Sequence, residues 1–431
     1  MTLIFLNRFF HPDHSATSQM LTDLACALAA GGHDVRVITS RQRYDAPDEV
    51  LPTHESVTGV DVTRVWTSRF GRANLAGRAV DYLSFYLTAA WALWRLARAG
   101  DVVIAKTDPP ALSIVVAPVA WLRGARLVNW LQDIFPEVAE ALGMGRGRLA
   151  RPALGVLRWL RNRSLRSARM NVVLGDGMAW QLKRLGVPSE RIHIIPNWAD
   201  GRLIRPVPPH ENALRRAWVQ PGDFVVAYSG NLGRAHETAT MLEAIRLIEA
   251  SAGKESTQTV TSLPDGSEPL LAPRIVWLFV GGGAQMQALR QDVAAAGLTS
   301  VIFKPYQQQE ALAESLSVAD VHLISLRPAM EGLIVPSKIY GIQAAGRPAL
   351  FIGDKDGEIA RLLARTQAGL TVAEGDGAAL ASVVQALAAD RAKCTRLGQN
   401  ARRAFEREFD KPLALARWEK LLAVVAAPGR P

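Results

Sequence analysis

The chain runs twice through the same alternation of apolar strands and helices, and this repetition constrains its fold more than any other feature. Strand-like segments at Leu3–Phe9 and Asp34–Ser40 begin the first run, and segments at Phe224–Gly230 and Ile275–Gly282 begin the second. Helical patterns separate the members of each pair. Because strands that alternate with helices form parallel sheets, we predict an α/β protein with two doubly wound sheets.

A polar, proline-rich stretch at Asn197–Pro209 interrupts the alternation, and we interpret it as the interdomain linker. The chain has 431 residues, which exceeds the size at which a single hydrophobic core stops growing. We therefore predict an N-terminal domain over residues 1–199, a C-terminal domain over residues 200–410 and a terminal helix over residues 411–431.

The composition indicates a folded protein, since hydrophobic residues make up 49% of the chain and charged residues 21%. The two cysteines, Cys26 and Cys394, belong to no CxxC pair or Cys/His cluster, so we predict no structural zinc. No apolar run reaches the roughly 18–20 residues that a spanning helix needs, and the first residues lack a signal-peptide pattern. We expect a cytoplasmic protein.

One segment, Gly145–Arg169, holds eight arginines and no acidic residue, with leucines and a tryptophan at roughly helical spacing. A helix with an arginine face and an apolar face is typical of proteins that lie on an anionic membrane surface. We predict peripheral contact with the inner face of the plasma membrane through Arg158, Trp159, Arg161 and Arg166. The alternatives are a solvated face beside a core, or nucleic-acid binding. No nucleic-acid-binding motif accompanies the segment, so we predict no nucleic-acid partner.

The segment Glu331–Gly346, which reads EGLIVPSKIYGIQAAG, has the pattern of a loop that leads into a helix. Free backbone N–H groups at a helix start attract anions, and Lys338 adds a positive charge there. Small residues in the helix would let it lie close to a sheet. The alternative is an ordinary capped helix with a surface lysine.

Together with other segments in a fixed order, this loop and helix resemble family-4 glycosyltransferases of the GT-B fold. The PSKxYG form resembles a bacterial subfamily of colanic-acid and O-antigen synthesis. The segments that carry the resemblance are Gly31–Thr39, Ile194–Asp200, Ala227–Glu237, Leu278–Gly283, Phe303–Leu326 and Glu331–Gly346. The resemblance implies two Rossmann-like domains that face each other across a cleft, with the terminal helix crossing back to the first domain.

The resemblance also implies a retaining transfer of a sugar from a nucleoside-diphosphate sugar without a metal or other cofactor. We expect UDP as the nucleotide, an N-acetylated hexosamine as one candidate sugar, and a lipid-diphosphate-linked saccharide of a surface polysaccharide as the acceptor. Two alternatives remain: a GT-B nucleotide-sugar epimerase or hydrolase, and a non-catalytic nucleotide-sugar-binding subunit.

The donor residues follow from the resemblance, with two departures. Asn231 and His236 stand where the family has an Arg and a Lys on the pyrophosphate, and Gly341 stands where a second Glu would bind the ribose. We therefore assign the pyrophosphate to Arg234 and Lys338, with Arg327 as a further candidate, and the ribose to Glu358 or to a backbone group. The predicted donor-binding residues are Asn231, Arg234, Lys304, Tyr306, Ser337, Lys338 and Glu358, and Glu331 is predicted to hold donor-sugar hydroxyls as a catalytic residue.

The acceptor side is predicted from two strand ends. The segment Asn129–Glu137 resembles the family's HDxxP element, with Asp133 as a catalytic residue that accepts or orients an acceptor proton. The alternative is an Asp that caps the next turn. His11, His14 and Ser15 are predicted to contact the acceptor, and a solvated loop is the alternative. We predict no metal site and expect the carboxylates of Asp354–Asp356 to cap a helix that starts near Gly357.

Overall fold

The computed structural model describes residues 1–13, 15–44, 46, 49–71, 75–144, 150–255 and 273–427. The chain forms two compact units. Unit 1 consists of Met1–Asn197, Gly332–Val335 and Ala414–Pro431, and unit 2 consists of Trp198–Glu331 and Pro336–Leu413. His14, residues 145–149 of the basic segment and most of the Ser/Thr-rich stretch after residue 255 lie outside the described residues.

Unit 1 contains an eight-stranded sheet in the order β3-β4-β2-β1-β5-β6-β7-β8, which is parallel except for the β3–β4 pair. Its strands are β1 (Thr2–Leu6), β2 (Asp34–Ser40), β3 (His54–Val57), β4 (Val60–Val65), β5 (Val102–Lys106), β6 (Arg126–Trp130), β7 (Met170–Val173) and β8 (Ile192–Ile194). Its first six helices are α1 (Ala16–Ala30), α2 (Leu75–Leu96), α3 (Ser113–Leu122), α4 (Glu137–Ala141), α5 (Ala150–Ser167) and α6 (Asp176–Arg184). Strands such as β5 are buried throughout, as expected when helices cover both faces of a parallel sheet.

Unit 2 contains a six-stranded, fully parallel sheet in the order β11-β10-β9-β12-β13-β14. Its strands are β9 (Phe224–Asn231), β10 (Ile275–Gly282), β11 (Val301–Lys304), β12 (Val321–Ser325), β13 (Ala349–Ile352) and β14 (Gly369–Val372). Its helices are α7 (Ala213–Trp218), α8 (Ala239–Glu255), α9 (Met286–Ala295), α10 (Leu312–Ser317), α11 (Lys338–Ala344), α12 (Glu358–Thr366), α13 (Gly377–Ala389) and α14 (Arg391–Glu408).

The last helix, α15 (Lys411–Ala426), begins at the end of unit 2, and its residues from Ala414 onward belong to unit 1. Trp418 of this helix is fully buried and packs edge-to-face on Trp130 of β6, with ring centroids 4.7 Å apart. Such an aromatic pair is worth about 0.5–1.5 kcal/mol beyond its burial. Arg126 adds a hydrogen bond of 2.6 Å to the carbonyl oxygen of Ala426.

Strand β3 is the one element of the unit 1 sheet that the strand–helix alternation did not predict. It is short, mostly exposed and antiparallel to β4, so it lacks both the apolar run and the preceding helix that mark a parallel strand. A tight turn with Thr58 and Gly59 at positive φ joins the two strands.

Candidate active site

Both sheets place their polar residues where the strand order reverses. In unit 1 the order reverses between β1 and β5, and in unit 2 it reverses between β9 and β12. Loops that follow two such strands leave in opposite directions, so a crevice opens at the carboxyl ends of the strands. The candidate residues Asp133, Asn231 and Lys338 lie at or after the carboxyl ends of strands at these reversal points or next to them.

Asp133 follows β6 and is held by backbone pairing to the segment Gly332–Val335 of the same unit. The N–H of Ile134 donates to the carbonyl oxygen of Leu333 at 2.9 Å, and Asp133 itself forms a bridge with Ile334. Helix α4 begins beyond Asp133 with Pro136 as its N-cap and no side-chain cap, so Asp133 does not serve as the cap of this helix.

Burial raises the pKa of Asp133 to about 7, and the negative charge of Asp108 adds to the rise, while a hydrogen bond with Thr107 opposes it. Within the described chain, the Oδ1 atom of Asp133 is buried and has no hydrogen-bond partner. A carboxyl group that exchanges its proton near neutral pH and retains an open acceptor atom suits a general base.

Two further residues of this cluster, Lys106 and Asp108, did not emerge from the sequence. Lys106 is the last residue of β5, and its Nζ donates to the carbonyl oxygen of Thr17 at 2.8 Å and lies 3.7 Å from the Trp130 ring centroid. Burial lowers the pKa of Lys106 well below its usual value and raises the pKa of Asp108. Their position at the end of a strand beside the strand-order reversal was the signal that could have identified them.

A small cavity of about 20 Å³ borders this cluster and is lined by Lys106, Thr107, Asn129 and Asp133 among others. A volume of this size holds roughly one water molecule. The cavity therefore offers the Asp133 carboxyl group space for a single small polar group.

The loop after β1 is tied down by its backbone and by Asp13. The carboxylate of Asp13 accepts hydrogen bonds from the N–H of Ser15 (2.8 Å) and from the N–H of Tyr44. The side chain of His11 is exposed, and its carbonyl oxygen accepts from Arg64 at 2.5 Å. The Ser15 hydroxyl is buried with no hydrogen-bond partner among the described residues, which leaves it available to a bound group. The acceptor role of His11 and Ser15 stays a prediction, and His14 lies outside the described residues.

In unit 2, Lys338 is the central residue of the donor prediction. It is the first residue of α11, and its Nζ donates to the Tyr228 hydroxyl and lies 3.9 Å from the ring centroid of Tyr228. The Tyr228 hydroxyl in turn donates to the carbonyl oxygen of Asn231 at 3.0 Å. Burial lowers the pKa of Lys338 to about 7, so an anion that binds beside it would draw a proton onto the amine. Sequence reasoning missed Tyr228, although its place near the end of β9 marked it.

His236 contributes no charge at neutral pH. Its Nδ1 forms a hydrogen bond with the carbonyl oxygen of Ser325 at the end of β12. Burial lowers the pKa of His236 to about 3, and the nearby Lys338 adds to the effect. The position where the family has a lysine is therefore neutral here, and Lys338 and the exposed Arg234 remain as the predicted cations.

Glycines bring the ends of β9 and β10 close together beside Asn231. Gly281 and Gly283 both have a φ of 124°, and a Cβ on Gly283 would overlap the Asn231 side chain. The Tyr306 ring lies over the same turn, because a Cβ on Gly281 would be 3.0 Å from it, and the Tyr306 side chain is 60% exposed. Tyr306 therefore lies beside the Gly281–Gly283 turn, whereas Lys304 lies with its Nζ 5.5 Å from the ring centroid of Trp218.

Glu331 caps the start of α12, a role that the sequence analysis had given to the Asp354–Asp356 carboxylates. The carboxylate of Glu331 accepts from the N–H of Glu358, at 3.2 Å and 3.4 Å, at the start of α12. The N-cap of α12 is Gly357, where a Cβ would overlap the Glu331 carboxylate. The prediction that the Asp354–Asp356 carboxylates cap this helix was therefore wrong: Asp354 accepts instead from the N–H of Asp356 at 2.9 Å, within its own turn.

The remaining donor candidates flank these two helix starts. Ser337 is the N-cap of α11, is exposed, and makes no side-chain capping bond. The carboxylate of Glu358 lies 3.3 Å from Arg361 on the same helix. Helix α11 has seven residues, which is short for the anion-binding helix start that the sequence suggested, so Lys338 itself carries the positive charge at this point.

The predicted membrane-contact residues divide into two groups. Arg161 is 4% exposed and donates to Glu137 (2.6 Å) and to the carbonyl oxygen of Phe135 (3.0 Å), so the prediction that Arg161 contacts a membrane was wrong. The acidic residues Glu137 and Glu140 of α4 pair with arginines of the basic segment, although they lie outside that segment in sequence. Arg158 likewise pairs with both carboxylate oxygens of Glu140.

Trp159 and Arg166 remain exposed on α5, and the Trp159 side chain is 61% exposed. No helix of the described chain is both long enough and apolar enough to cross a bilayer. Among the residues that the structure describes, no group of three or more His, Cys, Asp or Glu side chains could hold a metal ion. The metal-independent reaction stays a prediction.

Residues 16–198 match the family model described as "Glycosyl transferase 4-like domain". The chain is 27% identical over 293 residues to the probable glycosyltransferase WbjE of Pseudomonas aeruginosa, and the match covers 67% of this chain and 66% of WbjE. The chain therefore spans slightly less than two thirds of the length of WbjE. It is 25% identical over 371 residues to the putative colanic acid biosynthesis glycosyl transferase WcaI of Escherichia coli, covering 82% of this chain and 83% of WcaI.

Two solved structures have a similar fold. Anabaena Alr3699/HepE in complex with UDP matches with a TM-score of 0.69 at 14% identity, covering 98% of this chain and 100% of HepE. WaaG, a glycosyltransferase involved in lipopolysaccharide biosynthesis, matches with a TM-score of 0.67 at 16% identity, covering 99% and 100%. The prediction of the GT-B fold is thereby confirmed. The chain has the GT-B fold, its residues 16–198 match the glycosyl transferase 4-like domain model, and its sequence is similar to two proteins named as probable or putative glycosyltransferases.

Proposed function

We propose that this chain is a retaining glycosyltransferase of bacterial surface-polysaccharide synthesis. It takes a sugar, with an N-acetylated hexosamine as one candidate, from a nucleoside-diphosphate sugar and transfers it to a lipid-diphosphate-linked saccharide. The observation that carries the proposal is the half-buried Lys338, whose amine lies against the Tyr228 ring near the carboxyl end of β9. Its relatives WbjE and WcaI, named as glycosyltransferases, support the same reaction class.

On the donor side, Lys338 and Arg234 bind the diphosphate, and the turn of Gly281–Gly283 admits it close to the backbone. In a buried site a fixed positive charge stabilises the negative charge that develops on the leaving diphosphate. The base lies along Tyr306. UDP is the preferred nucleotide, which the UDP-bound HepE structure of similar fold supports.

On the acceptor side, Asp133 accepts the proton of the attacking hydroxyl group. Its pKa of about 7 makes it an effective base near neutral pH. Retention of the anomeric configuration rests on the family resemblance, and NMR of the product tests it directly. A product of inverted configuration would contradict a retaining mechanism.

A lipid-linked acceptor implies that the protein contacts a membrane. The described residues of unit 1 form a broader candidate contact surface than the basic segment alone. Leu83, Leu87, Trp91 and Trp94 lie at intervals of three or four residues and so share one face of α2, where Trp91 is 64% exposed. Helix α3 packs beside α2 and carries Trp121, which is 79% exposed. Exposed aromatic patches of this extent mark interaction sites.

Cations accompany this apolar face. Arg95 and Arg98 follow Trp94 in sequence and are exposed, and the guanidinium of Arg123 lies 5.3 Å from the Trp94 ring centroid. Tryptophans and arginines together suit the interface of an anionic bilayer. We therefore place the membrane contact on α2 and α3 together with Trp159 and Arg166 of α5.

Vesicle co-sedimentation tests this contact. The double variant Leu87→Gln/Trp91→Gln should lose binding to phosphatidylglycerol vesicles, whereas Trp180→Gln, which alters an exposed tryptophan on α6, should keep it. Equal binding of the wild type and the double variant would refute the proposed face. Donor binding is measured separately, so its outcome is independent of this one.

The central experiment is thermal unfolding of the full chain with a panel of nucleoside diphosphates. A ligand at a hundredfold excess over its Kd stabilises the folded state by roughly 2.7 kcal/mol. UDP should stabilise the wild type and the control Lys355→Ala, whose lysine is exposed, but not Lys338→Ala. The absence of stabilisation by every nucleotide would refute the donor site. Turnover of the sugar donor without an acceptor would favour an epimerase or hydrolase, and binding without turnover a non-catalytic subunit.

A further inference from the structure

Unit 2 contains a cavity of its own, which lies at the amino-terminal ends of the strands, whereas the donor residues lie at the carboxyl ends. It has a volume of about 490 Å³, which is within the range of roughly 300–1,000 Å³ that small-molecule sites take. Asp320, which precedes β12, and Pro348, which precedes β13, both line it. Because these residues precede parallel strands whose carboxyl ends carry the donor candidates, this groove is separate from the donor site.

The groove has an excess of positive charge. Four arginines and one carboxylate line it, namely Arg347, Arg391, Arg402, Arg403 and Asp320. The carboxylate of Asp320 is already bonded by Arg215 at 3.0 Å and by Arg391 at 3.1 Å. Beyond the lining, Glu406 pairs with Arg402 at 2.7 Å. Within the lining, the arginines still outnumber the carboxylate, so the groove attracts anions.

The guanidinium of Arg347 is held by two backbone carbonyl oxygens and has a buried donor without a partner among the described residues. Its Nη2 donates to the carbonyl oxygens of Val207 (3.0 Å) and Ser317 (2.9 Å). Its Nε is buried and has no hydrogen-bond partner in the part of the chain that the structure describes. A buried donor on a charged group is costly to leave unsatisfied, so an oxygen atom bound in the groove would complete its bonding.

Two glycines that line the groove, Gly346 and Gly398, approach each other closely. Gly398 of α14 packs directly against the turn at Gly346, because a Cβ on Gly398 would overlap the Gly346 carbonyl oxygen. The exposed side chains of Gln399 and Arg403 border the opening one and five residues further along α14. The arginines that line the groove are the side-chain type that binds phosphate in a bidentate manner.

We propose that this groove is a binding site for a soluble, phosphate-bearing small molecule. The inference rests on unit 2 alone and does not depend on the proposed glycosyltransferase activity. The same chemistry is presented by the phosphate of an anionic lipid headgroup, and the experiment separates the two sources.

The test measures inorganic pyrophosphate binding to the full chain by calorimetry. Gln399→Glu introduces a carboxylate at the opening and Arg403→Ala removes an exposed cation, and both residues lie on the surface, so the fold should tolerate them. Arg396→Ala is the matched control, because Arg396 lies exposed on the same helix but outside the groove lining. Lys338→Ala removes the donor-site cation, so binding that persists in it belongs elsewhere.

Because the donor site also binds a diphosphate in our proposal, both groove substitutions are made in the Lys338→Ala background. We expect pyrophosphate binding that survives Lys338→Ala, survives the addition of Arg396→Ala, and weakens about tenfold or more when either groove substitution is added. Binding to phosphatidylglycerol vesicles should be unchanged in the groove variants. Groove variants that bind pyrophosphate like their Lys338→Ala parent, or that lose only vesicle binding, would overturn the proposal. Loss of all pyrophosphate binding in Lys338→Ala alone would also overturn it, while leaving the donor-site proposal intact.

Discussion

Each unit contains a lysine that is packed on an aromatic ring, but the two lysines differ in what surrounds their amines. In unit 1 the Nζ of Lys106 lies 3.7 Å from the Trp130 ring centroid, and in unit 2 the Nζ of Lys338 lies 3.9 Å from that of Tyr228. Lys106 is 2% exposed and donates to a backbone carbonyl oxygen, whereas Lys338 is half-buried and bonds to a hydroxyl group.

The comparison shows that burial alone does not identify a functional lysine. Burial lowers the pKa of both amines, by the same physical cause. The difference lies in the neighbours: Lys106 is buried at the end of β5, while Lys338 lies beside Gly230 near the carboxyl end of β9, which ends at the exposed Asn231. We interpret Lys106 as a structural residue and Lys338 as a ligand-binding residue.

The largest expected effect concerns Asp133, which lines the same cavity as Lys106. Asp133→Asn should lower kcat/KM by about 10²–10⁴-fold, which is the range that general-base catalysis contributes. In the wild type at saturating donor, which keeps Lys338 protonated, kcat/KM for the acceptor should rise as pH increases through about 7, because Asp133 must lose its proton to act as a base. Steady-state kinetics against pH measure both effects. Asp176→Asn, at an exposed aspartate of the same unit, is the control, and an unchanged pH profile in Asp133→Asn would remove Asp133 from the mechanism.

The next effect tests the ligand-binding lysine. Lys338→Met should lower kcat/KM by about 10²–10³-fold, as the loss of one charge-stabilising donor does, and should change the free energy of unfolding little. Lys355→Met at an exposed lysine should leave both quantities unchanged. Kinetics and chemical denaturation together measure the outcome. A variant that unfolds easily but keeps its kcat/KM would reverse our interpretation of Lys338.

The structural lysine should show the opposite pattern. Lys106→Ala should lower the free energy of unfolding by roughly 2–4 kcal/mol, because it leaves a cavity beside Trp130 and an unpaired carbonyl oxygen at Thr17. UDP affinity should remain at the wild-type value. Urea unfolding measures the first quantity and calorimetry the second, with Lys183→Ala at an exposed lysine of α6 as the control. A stability equal to that of the wild type would show that the two lysines differ less than we infer.

The smallest expected effect is a pH dependence of UDP affinity. The protonated form of Lys338 binds the diphosphate, and its pKa of about 7 in the free protein rises on binding. Affinity should therefore be full below pH 7 and fall about tenfold per pH unit above it. Lys338→Arg keeps its charge over this range, so its affinity should stay constant. Calorimetry on both proteins measures the slopes, and equal slopes would locate the titrating group elsewhere.

Much of the fold followed from the sequence, because strands buried on both faces produce continuous apolar runs that are read directly. Both parallel sheets and the helix that carries Trp418 were predicted in this way. The exposed edge strand β3 was not, because its pattern carries no such run. Of the candidate site, Asp133 and Lys338 were placed at strand and helix ends by their motifs. Their neighbours Asp108 and Tyr228 come from other elements: Asp108 has no motif, and Tyr228 lies within the segment Ala227–Glu237, but the motif did not single it out.

The sequence by itself determined the two α/β halves and the positions of the chemically active groups near their strand ends, because the periodicity of apolar residues and local motifs encode both. Only the tertiary structure decided which charged side chains are paired within the protein and which side chains remain exposed. It pairs Arg161 with Glu137, uses Glu331 to cap α12 and leaves Trp91 exposed. Electrostatic pairing and burial depend on distances between residues that are remote in sequence, so no local pattern could have assigned them.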